Sequence, residues 1–482
     1  MRTTLLNIFL LFIVFQVSAQ QKWDLRQCVD YAMKNNISVK QADVQARIIA
    51  LQLKQAQLSV YPNANLTSGL GTQFGRSIDR TTNIYSNTQS LYQNIQLQSG
   101  ILVYNNNRLK NTIAYEQFSA NAALQDVEKA ANDAALSVCT YYLQVLAAKE
   151  QVIISQLQIG QTKTQLDITK KQVEAGSLPE LNRLEIEAQL ANDSSTYISA
   201  QSNFDQSVLA LKAVLNMDAA APFEVAIPES TSIPTLPLSE LQPEVVFQLA
   251  LNNQPLQKAN DFRIKAAEKN IAINKAQMYP TLNFGVNLAS NFYNSFQRVD
   301  GYSINGYSLN GDMVSIGNDN YYISSPNVFI KQSRNSLGEI WKGYGSQLNN
   351  NFGQTLGFNL TLPIFDNGQY RTAYEQSKLT YKSQLLNKEG ADLTLKQNIY
   401  TAYSNAISSL QKVNAGKKSV ETNQKVFDFA TKRYNLGLLS TIDLLTNQNN
   451  LLRAKLQLVG NEYDYIFKMK LLEFYKGQGL KL

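Results

Sequence analysis

The sequence predicts a fold of long α-helices and transmembrane β-strands, laid out as a helix-strand-strand-helix unit that occurs twice. Three observations predict it. The chain matches itself when shifted along its own length, four segments alternate apolar and polar residues, and two long stretches carry an apolar residue at nearly every seventh position.

The self-match sets the frame. Ala32-Met33-Lys34-Asn35 corresponds to Ala250-Leu251-Asn252-Asn253 and Tyr61-Pro62 to Tyr279-Pro280, both at a separation of 218 (250 against 32, 280 against 62). Farther along, Tyr104 meets Phe365 and Gly176 meets Gly437 at a separation of 261. The 43 residues by which the separation grows therefore enter the second copy at one place, between Pro280 and Phe365. A duplicated unit implies two similar halves, and a segment that accepts an insertion belongs on the surface.

In chain order, residues 1–19 read as a secretory signal. Arg2 is the positive start, Leu5 to Phe15 the apolar stretch and Val17-Ser18-Ala19 the cleavage site. Gln20, not Cys, follows the cut, which argues against lipid anchoring there. The first repeat, 20–215, opens on a helix capped by Asp24 and running to Asn35-Asn36, then a second helix from Ser38 to Val60 that stops before Pro62. The rhythm then changes to two. Ala64, Leu66, Leu70 and Phe74 alternate with polar residues in a strand at about 63–75, and Ile95, Leu97, Ile101 and Val103 in another at about 93–104.

A long helix follows, because from Asn106 to Val173 there is no proline and Gly160 is the single glycine. Leu124, Ala131, Val138, Val145, Val152, Ile159, Leu166 and Val173 form a heptad stripe. Such a stripe means helices packed side by side in coiled-coil-like seams, and the helix would be on the order of 100 Å long. Gly176 ends it, and a shorter helix returns from Pro179 to Leu215. End to end, the two shorter helices roughly match the long one.

A proline-rich linker at 216–238 (Pro222, Pro228, Pro234, Pro237) leads to the second repeat, 239–476. Its strands fall at about 281–289 and 354–365, with Leu282, Phe284, Val286 and Leu288 in one and Leu356, Phe358, Leu360, Leu362 and Ile364 in the other. Between them, about 290–351 is rich in Asn, Ser, Gly and Tyr without a stable period, and is expected to be a long surface loop. The second helical hairpin spans about 367–475, turns at Gly437, and leaves a tail at 477–482. Its stripe reads Leu385, Asp392, Ile399, Ala406, Val413, Val420, Phe427 and Tyr434, with one polar break.

Composition narrows function. A formal charge of +7 without any dense basic run gives no support to nucleic acid binding. There is no histidine, which removes the commonest general base and metal ligand, so neither a metal site nor a cofactor is expected. Cys28 and Cys139 form no metal-spacing motif; they could pair, or each could be a buried free thiol in its apolar helical pattern. Glu185 and Glu187 are an acidic pair, but two residues apart on a helix they do not share a face. No catalytic constellation remains, and an enzyme is not expected.

The strands suggest a compartment. Each is roughly 10 residues with one apolar and one polar face, as in a barrel with lipid outside and water inside. Tyr61, Tyr104, Tyr279 and Phe365 lie at the helix side, and Phe74, Tyr92, Phe292 and Phe352 at the loop side, where interfacial aromatic girdles would fall. Four strands cannot close a barrel, and an open edge is not tolerated in lipid, so copies must share one wall. Three copies would make 12 strands, within the known range of about 8 to 26. An exported coiled-coil fibre would explain the heptads but not the paired strands; a passive porin would explain the strands.

At these residues the chain resembles the TolC-like outer membrane efflux factors. The signal segment, the duplicated unit, Asn35 and Asn253, Pro62 and Pro280, and the two glycine turns carry the resemblance, which covers essentially the whole mature chain. It implies a homotrimer with a 12-stranded barrel in the outer-membrane lipid of a Gram-negative-type bacterium and a helical tunnel through the periplasm. A periplasmic adaptor (membrane fusion) protein would join it to an inner-membrane pump of resistance-nodulation-division or ABC type. The turns Gly176-Ser177-Leu178 (before Pro179) and Gly437-Leu438-Leu439-Ser440 match the tips on which family adaptors dock. Tyr434 and Asp443 match the family's closing constriction. Leu439 stands where some members have a basic residue and Thr446 where some have a second Asp, which puts a salt-bridged closure in doubt.

Overall fold

The computed structural model describes residues 22–78, 85–226 and 236–477. The expected signal segment, Pro228 and Pro234 of the linker, and the tail after Gly477 lie outside the described residues. The helices are α1 (Leu25–Asn35), α2 (Ile37–Leu58), α3 (Arg108–Glu174), α4 (Glu180–Leu215), α5 (Pro243–Asn253), α6 (Pro255–Ala276), α7 (Leu337–Ile340), α8 (Tyr344–Asn350), α9 (Gln369–Asn435) and α10 (Thr441–Lys476). The strands are β1 (Asn63–Ile78), β2 (Tyr85–Tyr104), β3 (Thr281–Ser295), β4 (Gln297–Ile316), β5 (Asp319–Arg334) and β6 (Gly353–Thr361). The described residues divide into a helical unit (those within 1–53, 114–271 and 376–482) and a sheet unit (those within 54–113 and 272–375).

In the helical unit, Asp24 caps α1 reciprocally with Gln27, whose N–H donates to Asp24 Oδ1 at 2.7 Å. This satisfies helix-start donors that would otherwise be orphaned. The heptad stripe becomes core. Val138 and Val145 of α3 are fully buried with Cys28 and Ala32 of α1 and Leu211 and Leu215 of α4, in a cluster that Ile466 of α10 joins. The equivalent positions of the second copy, Ile399 and Ala406, are fully buried with Val246 and Ala250 of α5 and Met469 of α10. The anchor pair Ala32 and Ala250 is small because helices approach closely over both. Leu124 departs from the stripe: it is exposed, as is Leu385 at the equivalent place. Cys28 and Cys139 are both free thiols in one core, and burial pushes each up to about 12. Trp23 forms a parallel bridge with Val225, and Tyr142 Oη donates to the Ala226 carbonyl at 2.6 Å, fastening the start of the linker to α3.

The sheet unit holds a four-stranded antiparallel sheet in the order β1-β2-β3-β6, leaving β1 and β6 as its edges. β1 and β2 run further than alternation indicated, pairing from Asn63↔Gly100 to Ile78↔Tyr85. Their outer ends do not alternate apolar with polar residues, so only backbone pairing reveals them. β6 stops at Thr361, short of the expected 365, because Pro363 has no N–H for the ladder.

The segment at about 290–351, expected as a long surface loop without a stable period, differs more: it is regular structure. It contains the end of β3, a second sheet formed by β4 and β5, and two short helices, α7 and α8. Ser336 and Glu339 form a capping box that starts α7. A period-two reading missed β4 because register irregularities interrupt it three times, at Val299/Gly301, Ile304/Tyr307 and Leu309/Met313.

Candidate functional site

Register assigns each side chain of the four-stranded sheet to a face. Leu66 stands opposite Leu97, which stands opposite Leu288, while Phe284 stands between Ile101 and Phe358. These residues share one face with Leu70, Phe74, Val286, Leu356 and Leu360, and most are exposed in the single chain. The other face carries Asn63, Asn65, Gln96, Gln98, Asn283, Asn287 and Asn359. Gln96 Nε2 donates to Asn287 Oδ1 at 2.9 Å, and the Gly100 N–H donates to Asn63 Oδ1 at 2.9 Å. No Asp, Glu, Lys or Arg side chain lies on this second face among the described strand residues. One face is thus suited to hydrocarbon, and the other is a neutral wall of amides and glycines suited to water.

The expected aromatic positions divide. Tyr61, Tyr104, Tyr279, Phe365, Phe74 and Phe352 are exposed. Phe292 is not: it is fully buried, stacked on Trp341 at 5.6 Å and edge-on to Tyr344 at 5.1 Å. The helices of the insertion lay these rings across the end of β3, so Phe292 is core and not interfacial. Tyr92 falls on the polar face opposite Gly71, and a Cβ on Gly71 would lie 2.7 Å from its hydroxyl. The glycine makes room for that ring, which points away from the apolar face.

Both helical turns end in the same way. Gly176 (φ 72°) and Gly437 (φ 74°) adopt the left-handed conformation. The Gly176 N–H donates to the Val173 carbonyl and the Ser177 N–H to the Gln172 carbonyl, each at 2.9 Å. Gly437 and Leu438 repeat the pattern onto Tyr434 and Arg433 at 2.8 and 2.9 Å. These paired bonds satisfy the last helical carbonyls. Leu178 and Leu439 tuck against a buried cluster of Leu166, Ile186, Ala430, Tyr434 and Leu444, so they secure the turns from within. Leu438 is exposed, together with Leu181, Leu436 and Ile442, three apolar residues that glycine-centred reasoning overlooked. Their signal was available: each is a large aliphatic residue within five positions of a turn glycine.

Ser440 caps α10: its hydroxyl donates to Asp443 Oδ2 at 2.6 Å and accepts the Asp443 N–H at 3.1 Å. The Asp443 side chain is exposed. Tyr434 is 2% exposed, and its hydroxyl shares a buried hydrogen bond with Thr169 Oγ1 at 3.2 Å. An axis-facing Tyr434 is therefore corrected to a core residue that fastens α9 to α3. A heptad position closes inward when a neighbouring helix lies over it. One helical layer farther along, Thr162 donates to Asp193 Oδ2 at 2.5 Å and accepts from Gln448 at 2.7 Å, so a buried polar network joins α3, α4 and α10.

A family model described as "Outer membrane efflux protein" matches residues 29–217 and 328–473. Among curated relatives, Outer membrane protein TolC of Salmonella enteritidis is 25% identical over 128 residues, which is 26% of each chain. The alignment thus spans about a quarter of that relative's length. Nodulation protein T of Rhizobium leguminosarum bv. viciae is 23% identical over 455 residues, covering 92% of this chain and 80% of the relative. Among solved structures, the outer membrane protein VceC of Vibrio cholerae superposes with a TM-score of 0.70 at 14% identity, covering 95% of this chain and 97% of that one.

Proposed function

Because this chain belongs to the outer membrane efflux protein family, we propose that it is a trimeric exit duct of a tripartite efflux or secretion system. Substrates would pass from an inner-membrane pump, through a periplasmic adaptor, across the outer membrane. One observation carries the reading: a four-stranded sheet with an apolar face, an uncharged polar face and two unpaired edges. Such a sheet buries its edges in lipid only by pairing β6 of one copy with β1 of the next. Three copies close a 12-stranded wall, with amides toward the water.

The neutral wall also bears on selectivity. Side-chain amides hydrogen-bond to solutes of either sign without attracting one of them, so charge selection falls to the helical turns, where Asp443 is exposed. The exposed Leu438, Leu436, Ile442 and Leu181 are the surface we assign to adaptor docking. The insertion at 290–351 then lies outside the cell.

The test is the oligomeric state of detergent-extracted protein by light scattering, with circular dichroism of the same sample. A trimer is expected. A monodisperse monomer that keeps its strand signal would overturn the shared-wall reading.

A further inference from the structure

The hairpin formed by β4 and β5 is more specifically built than a surface loop needs to be. β4 contains a five-residue repeat, Gly301-Tyr302-Ser303-Ile304-Asn305 followed by Gly306-Tyr307-Ser308-Leu309-Asn310 and then Gly311. Five is odd, so plain alternation would send Tyr302 and Tyr307 to opposite faces. The strand corrects this. Register shifts fall between Ile304 and Tyr307 and between Leu309 and Met313, where Gly306 (φ 84°) and Gly311 (φ 88°) take the conformation open to glycine. Each irregularity restores the phase.

Tyr302, Ile304, Tyr307, Leu309 and Met313 consequently share one face, joined by Tyr322 opposite Met313. All six are more than half exposed. The opposite face is mixed: Ser308 stands opposite Ser325 at its centre, while Ser303 pairs with Phe329 and Val314 with Tyr321. From Gly301 to Gly311 and from Asn320 to Pro326 no residue is charged.

We propose that this face is a self-association surface, on which the hairpins of the three protomers pack against one another. The inference rests on the trimeric reading above, and two observations select a second copy of this chain as the occupant. The hairpin base is fastened to the sheet whose edges must pair between copies. Phe296 N–H donates to the Gln89 carbonyl at 2.6 Å, Asn335 Nδ2 to the Ser295 carbonyl at 2.8 Å, and Arg298 pairs with Glu339 at 2.6 Å. Closing the wall therefore gathers three hairpins at one end, and the new contact continues the old one. The second observation is area and charge. Six large side chains present roughly 600 Å² of apolar surface, the lower end of what one partner buries in a stable interface. Identical faces meeting around a threefold axis must also tolerate their own charge, and this one has none.

The experiment uses the purified full chain in detergent. Cys28 and Cys139 are buried with thiols pushed up to about 12, so an introduced cysteine is the reactive one. Tyr307→Cys places it on the apolar face and Ser325→Cys on the opposite one. A short bis-maleimide should join protomers in Tyr307→Cys, while Ser325→Cys stays single on a denaturing gel. A bulky hydrophilic maleimide should label Tyr307→Cys at least about tenfold more slowly than Ser325→Cys. Equal labelling and no crosslink in an intact trimer would overturn the inference alone, leaving the face to water, detergent or a different protein. A wild-type monomer would overturn the assembly reading and this inference with it.

Discussion

The burial of Tyr434 turns the constriction into a question with a measurable answer. If its ring filled the duct, Tyr434→Phe would leave the opening nearly unchanged and Tyr434→Ala would widen it. The structure places the ring in a core with Leu166, Ile186 and Leu444, its hydroxyl 3.2 Å from Thr169. Tyr434→Phe then removes one buried hydrogen bond between α9 and α3, worth about 1 kcal/mol. The Thr169 hydroxyl can turn to a carbonyl of its own helix, which holds the loss near that figure. If opening separates α9 from α3, about 1 kcal/mol raises the open fraction roughly fivefold. Tyr434→Ala instead leaves a cavity costing about 3–5 kcal/mol, so it should lower the yield of folded protein. The assay is single-channel recording in planar bilayers, comparing open probability and unit conductance for both variants. The expected result is a higher open probability in Tyr434→Phe at unchanged unit conductance. Normal yield with larger conductance in Tyr434→Ala, and no effect in Tyr434→Phe, would refute the argument and return the ring to the duct.

Three further outcomes are expected. The Lys470–Glu473 pair is buried on α10 at 2.9 Å, and Glu473 also accepts the Leu236 N–H at 2.9 Å. Glu473→Ala should destabilise the helical unit by about 3–5 kcal/mol in denaturant melts, while Lys470→Met with Glu473→Leu should recover most of it. At the tips, Gly437→Ala forces a side chain into positive φ at a cost of about 1–2 kcal/mol, whereas exposed Leu438→Asp should leave stability unchanged. If the proposed docking role holds, Leu438→Asp should nevertheless reduce crosslinking to a periplasmic adaptor and efflux, and unchanged values for both would make the tips plain turns. If the proposed trimer brings the exposed Asp443 carboxylates to a common axis, they would attract cations, and Asp443→Asn should weaken cation preference in planar bilayers; an unaltered reversal potential would place selection elsewhere.

Much of the architecture was legible because it rests on signals local to the chain. A heptad stripe states which helical face is buried, and Val138, Val145, Ile399 and Ala406 are buried as it says. Alternation likewise fixes strand faces, and the apolar sets of all four main strands share one face. The same rules fail wherever a residue outside the local pattern intervenes. Phe292 alternates correctly, yet rings about fifty positions later cover it. Tyr92 is aromatic at the right depth but one position out of phase, and phase decides its face. The β4–β5 hairpin was illegible for a related reason: its period is five, and only the backbone at each glycine shows that five has been made to behave as four.

The two helical turns were legible in their positions, and the orientations of the side chains around them were not. A turn glycine can be found from helix ends alone, and both are in the conformation that such ends require. Whether the next leucine points out or in depends on the packing of the neighbouring hairpin, which no local pattern encodes. Leu438 and Leu439 are adjacent in sequence and take opposite fates: one is exposed, the other held against Tyr434 and Leu444. Tyr434 follows the same logic from the other side, since a heptad residue at a helix end is equally suited to a duct or to a core until the helix beside it is placed. The division has a mechanical consequence. The apolar residues that hold the turns shut lie inside the protomer, and those available to a partner lie outside, within a few residues of each other. A partner that grips Leu438 pulls on the same turn that Leu439 and Tyr434 secure, so docking and loosening can be coupled without any residue belonging to both surfaces.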